Sequence, residues 1–125
     1  MNLLLDTHTL LWWLADHPTL SPRARAAIGE PENGVFLSAV VVWEIRIKQS
    51  LGKLRLPRAF GEALRSEAFI ELPVTAEHAH ALATLASHHR DPFDRMLIAQ
   101  AKVEGLSIVT RDEAFAPYGV ELIGA

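Results

Sequence analysis

A chain of 125 residues, half of them apolar, has material for one domain with a real hydrophobic core and little left for a second. Fifteen acidic and twelve basic side chains give a formal charge of −3, which argues against a surface built throughout for a phosphate backbone. The absence of cysteine excludes disulfides and thiolate metal sites, leaving carboxylates and histidines as the only metal ligands.

No apolar run approaches the roughly 18 to 20 residues that cross a bilayer, and the N-terminus has no basic segment before an apolar core, so a cytoplasmic protein with no membrane association is expected. Leu3-Leu4-Leu5 reads as a short strand covered on both faces, delivering Asp6 at its C-terminal end. Thr9 to Ala15 carries an apolar helical band with Trp12 and Trp13. Ser21-Pro22 opens a second helix, serine as N-cap and proline at the first helical position. The turn residues Glu32-Asn33-Gly34 precede a second strand, Val35-Phe36-Leu37.

From Ser38 to Lys48 two readings compete. Trp43, Ile45 and Ile47 alternate with Glu44, Arg46 and Lys48 at the strand period, whereas Val40, Trp43, Ile47 and Leu51 fit one face of a helix that Ser38 caps and Gly52 ends. The helix is preferred. Further along, Pro57 to Glu67 suggests a helix, Phe69 to Leu72 a short strand, and Thr75 the cap of a helix running to about Ser87. His88-His89-Arg90 reads as loop. Asp91-Pro92 then starts a helix ended by Gly105, Leu106 to Val109 forms a strand leading into Thr110-Arg111-Asp112, and Val120 to Ile123 supplies an edge strand. Strands alternating with helices predict a three-layer α/β/α sandwich around a mainly parallel sheet of four or five short strands. Ligands of such sheets sit beyond the C-terminal ends of the strands.

Asp6 and Asp112 each follow a predicted strand, and Glu44 and Asp94 lie in early turns of helices that begin near the same sheet edge. Four converging carboxylates repel one another unless a divalent cation favours their ionised forms. Mg2+ suits such oxygen ligands, and Mn2+ can substitute. Each acid also has an ordinary role. Asp6 can cap the following helix, Glu44 can pair with Lys48 at the i,i+4 spacing, Asp94 can answer the helix dipole, and Asp112 can belong to a strand-to-helix turn.

The order of four segments resembles the PIN domain, and within it the VapC-type toxins of bacterial toxin–antitoxin pairs. They are Leu-Leu-Asp-Thr-His-Thr-Leu-Leu-Trp from Leu4, Ser-Ala-Val-Val-Val-Trp-Glu-Ile from Ser38, Asp-Pro-Phe-Asp-Arg-Met-Leu-Ile-Ala-Gln-Ala from Asp91 and Val-Thr-Arg-Asp ending at Asp112. The resemblance implies a single PIN domain over residues 1–125 and a magnesium-dependent endoribonuclease that leaves 5′-phosphate and 3′-hydroxyl ends. It carries the family's four acids onto Asp6, Glu44, Asp94 and Asp112. It further implies a homodimer and a VapB-type antitoxin that covers the site. Thr7 and Thr110 offer hydroxyls to orient water or an acid, and Asp91 can assist Asp94, though it reads chiefly as the cap.

Half of the basic residues fall between Arg46 and Arg65, and Arg46, Lys48, Lys53 and Arg55 are candidates for contact with RNA or simply a solvated face. His78 and His80, two apart on a helix, make a poor ligand pair. His88 and His89 adjoin the acidic helix start, as substrate contacts or ordinary loop histidines. The three tryptophans can stack bases, but burial in the core or at a dimer interface accounts for them as well. Two other readings, one an enzyme and one a signalling domain, fit less of the chain. A haloacid-dehalogenase-like phosphatase needs a second aspartate where His8 stands, and a receiver-like signalling domain with an acidic magnesium pocket needs paired early acids and a late lysine that are missing.

Overall fold

The computed structural model describes residues 1–125. Its elements are strand β1 (Asn2–Leu5), helix α1 (Thr7–Leu14), α2 (Pro22–Gly29), β2 (Gly34–Ser38), α3 (Ala39–Ser50), α4 (Phe60–Ser66), β3 (Ile70–Leu72), α5 (Ala76–Ala81), α6 (Pro92–Glu104), β4 (Ser107–Thr110) and β5 (Leu122–Gly124). Two 3-10 segments, Leu82–Thr84 and Glu113–Tyr118, complete them.

All five strands are parallel and lie in the order β3-β2-β1-β4-β5. The steps from β1 to β2 and from β2 to β3 move one way across the sheet, and the step from β3 to β4 moves the other way. Right-handed crossovers therefore cover opposite faces, giving the expected three layers. The direction reverses between β1 and β4, and open sheets of this kind bind ligands in the crevice at that point. Leu3, Leu4, Leu5, Ile108 and Val109 on these two strands are wholly buried, which explains their unbroken apolar runs.

The segment after Ser38 is helical, with the Ser38 hydroxyl accepting the Val40 N–H. Its buried stripe is not the one expected, however. Val40, Val41, Glu44 and Ile45 face inward, while Trp43 is 60% exposed and Leu51 62% exposed. The reason is that α3 packs against both α1 and α6, and this wedge draws in a carboxylate while turning an indole outward.

Other differences concern ends. Helix α1 starts at Thr7 because Asp6 is its cap, and residues 57–59 before α4 form a turn rather than helix. Helix α5 stops at Ala81 and tightens into a 3-10 turn, well short of Ser87. By contrast, α6 follows the sequence signals closely. Asp91 caps it, Pro92 is its first residue, and Gly105 closes it at φ +70°, where a side chain would be strained.

A buried polar chain ties three helices together. The Ser38 hydroxyl donates to Gln100 Oε1 at 2.6 Å, and Gln100 Nε2 donates to the Pro73 carbonyl at 3.3 Å and approaches His78 Nδ1 at 3.4 Å. His78 Nδ1 also accepts the Thr75 N–H, so the ring hydrogen sits on Nε2 and is donated to Glu104 at 2.8 Å. His78 is thus a core residue. No helix is long and apolar enough to cross a membrane.

Candidate active site

Asp6 emerges from β1 into α1 almost fully buried. One carboxylate oxygen accepts the Thr9 N–H at 2.9 Å, the ordinary cap, and the other accepts the Thr110 hydroxyl at 2.5 Å. Thr110 Oγ1 in turn accepts the Asp112 N–H at 3.0 Å. One hydroxyl therefore joins the acids that end the two central strands. Asp112 itself is exposed and caps the following 3-10 segment through the Ala114 N–H.

Asp94, in the first turn of α6, meets His89 from the preceding loop, with His89 Nε2 2.8 Å from its carboxylate. Arg90 donates its backbone N–H to His89 Nδ1, which leaves the ring hydrogen on Nε2, directed at Asp94. The loop is held by the His89 N–H donated to the Tyr118 hydroxyl at 2.6 Å and by Arg95, which reaches the Ala86 and His89 carbonyls. Burial pushes the Asp94 carboxyl from the ordinary 3.8 up to about 6; the His89 bond pulls it down, and the charges of Asp91 and Glu44 push it further up.

Donor atoms of His89, Asp94 and Asp112 all lie within 4.8 Å of one another, close enough for a single ion. Because the His89 hydrogen faces Asp94, the imidazole in this arrangement orients the carboxylate and leaves oxygen atoms as the donor set. That chemistry suits a hard cation. Glu44 stands somewhat apart. The Thr7 hydroxyl donates to one of its oxygens at 2.6 Å, and the Lys48 ammonium holds the other at 2.6 Å. That bond raises the Lys48 pKa above its ordinary value against the effect of burial, with the nearby Asp91 and Asp94 adding to the rise. Lys48 is thus the partner of Glu44, with the acids of the α6 start in its wider field.

Of the expected site residues, Asp94 and Asp112 come together directly, Thr110 links Asp6 to the Asp112 backbone, and Glu44 stays apart with Thr7 and Lys48. Asp91 spends one oxygen on the Phe93 and Asp94 N–H groups, as a cap. Among the basic candidates, Lys48 is already paired and Arg46 lies over the Phe60 ring at 5.5 Å while bonding Gln49. Lys53 and Arg55 are exposed. His89 is the residue that sequence reasoning left undecided; its only signal was its place just before Asp91-Pro92-Phe93-Asp94.

Two strand ends and a helix start thus bring acidic side chains together at the reversal point of a parallel α/β sheet. The PIN domain profile matches residues 3–120, and the chain belongs to this family of nucleases, hydrolases of nucleic acid. The fold is similar to VapBC2 of Rickettsia felis bound to a promoter DNA fragment, with a TM-score of 0.75, 15% identity and 98% of each chain covered. It is similar as well to FitAcB of Neisseria gonorrhoeae, with a TM-score of 0.72, 25% identity and 98% and 96% of the two chains covered. VapBC-5 of Mycobacterium tuberculosis, a toxin–antitoxin system, gives a TM-score of 0.64 at 23% identity over 99% and 98%. No curated protein matches the sequence.

Proposed function

We propose that residues 1–125 act as a single PIN domain, a cytoplasmic magnesium-dependent endoribonuclease toxin whose acids Asp6, Glu44, Asp94 and Asp112 hold the ion directly or through water. The observation that carries this reading is the meeting of Asp94 and Asp112 within ligand distance, with Thr110 tying Asp6 to the same point. Mg2+, or Mn2+ in its place, supplies positive charge to the scissile phosphate and acidity to an attacking water when bound. Asp6 is oriented by Thr9 and Thr110, Glu44 by Thr7, and Asp94 by His89, so these three acids are fixed before substrate arrives. Lys48, beside Glu44 and within the field of Asp94, is placed to meet a phosphate oxygen once the acids are shared with the ion.

The similarity to toxin–antitoxin structures supports a VapB-type antitoxin as partner, and a basic side chain from such a partner would find complementary charge in this crevice. Self-association is supported by the apolar surface of Trp43, Phe93, Val74, Leu82 and Met96, where Trp43 meets Phe93 edge-to-face at 5.2 Å and remains largely exposed. The test is to expose total cellular RNA to the purified protein with magnesium, with chelator, and as Asp94→Asn. Cleavage confined to the first condition, with 5′-phosphate ends, is expected. RNA left intact in all three would overturn the reading.

A further inference from the structure

Beside the acids lies an open cavity of about 330 Å³ whose walls are Asp6, His8, Trp12, Arg111 and Asp112. Two of these are acids of the proposed site, so whatever fills the cavity lies next to the reacting phosphate. The other three form a column: the Arg111 guanidinium sits over the Trp12 ring at 5.0 Å, and the exposed His8 ring is 5.8 Å from Trp12, tilted by 38°.

Trp12 packs partly against the core, and Arg111 is anchored by donating Nη2 to the Thr19 carbonyl and, at 3.0 Å, to a main-chain oxygen of Ala125. Arg111 forms no ion pair with Asp6 or Asp112, although both line the same cavity, and its Nε and Nη1 have no partner. A π-surface backed by a guanidinium with two free nitrogen donors, at the edge of an acidic crevice, suits a neutral aromatic ring and the phosphate attached to it. Unpaired nucleobases are recognised by stacking on aromatic and guanidinium planes, whereas bases in a duplex are already stacked and cannot enter a pocket.

We propose that this cavity is a subsite for one unpaired nucleobase flanking the scissile phosphate, stacked on the His8–Trp12–Arg111 column. The proposal rests on the nuclease reading above, and its test is separable from it. In an Asp94→Asn background, binding of a fluorescent unstructured RNA hexanucleotide is measured by anisotropy, alongside the same oligomer lacking its bases.

Trp12→Leu is expected to weaken binding of the base-bearing oligomer about 5- to 150-fold, the range for losing one stacked base, and His8→Ala about 5-fold. Neither should alter binding of the abasic oligomer. Because His8 is exposed, its variant tests the idea even if Trp12→Leu fails to fold. Equal binding of both oligomers, or loss of the same size for both in the variants, would overturn the subsite. The nuclease reading would still stand on magnesium-dependent cleavage by the wild type.

Discussion

Replacing Asp94 by asparagine should stabilise the metal-free protein at neutral pH. The folded carboxyl titrates near 6 rather than 3.8, because burial disfavours its charge. A folded pKa above the unfolded value means that the native state binds the proton more tightly, so stability falls as pH rises from about 4 to about 6 and stays low above. The difference corresponds to about 3 kcal/mol at pH 7, little screened because the side chain is only 19% exposed. Asparagine is neutral, nearly the same size, and can still accept the His89 hydrogen. If about half to all of that cost is recovered, the midpoint of thermal unfolding should rise by roughly 5 to 12 °C at pH 7.5, with chelator present. The advantage should vanish at pH 4, where the native carboxyl is protonated. Magnesium should raise the midpoint of the wild type and leave the variant nearly unmoved. Thermal scans from pH 4 to 8 decide it: no gain at pH 7.5, or a gain that persists unchanged at pH 4, refutes the account of Asp94.

Other expectations follow from the contacts around it. Thr110→Val strips Asp6 of one donor and the Asp112 N–H of its acceptor in a buried setting, and should cost about 1 to 3 kcal/mol in urea denaturation as well as abolish cleavage. His89→Ala removes the bond that restrains the Asp94 carboxyl, so its titration, followed by carbon NMR, should move above 6, whereas His89→Gln should largely prevent that rise. Trp43→Glu places a charge on the exposed apolar surface and should yield a monomer in analytical ultracentrifugation with its magnesium response intact.

What the sequence disclosed depended on whether a residue's role was local. The caps at Ser21, Thr75 and Asp91 and the stop at Gly105 are set by a few neighbouring residues, and each stands where the side-chain chemistry puts it. The strand-end acids were legible for the same reason, since apolar runs fixed where β1 and β4 end. Asp6 does cap α1, through one oxygen, while its other oxygen meets Thr110 from the neighbouring strand end. Glu44 was harder to place, because a buried carboxylate interrupts the apolar stripe that reveals a helix's inner face. Its partners Thr7 and Lys48 come from two different elements. His89 and the Arg111–Trp12 column depend on contacts across the fold, which no local pattern encodes.

The Ser38–Gln100–His78 chain bears on how the molecule opens. Gln100 clasps the cap of the helix that carries Glu44 while sitting two turns along the helix that carries Asp94. Fraying either helix end alone would strand a buried amide or hydroxyl without a partner, so the two segments should come apart together. In hydrogen exchange, amides in the first turn of α3 and the middle of α6 should share one opening free energy. Glu44 and Asp94 are then exposed or protected together, although they come from different elements.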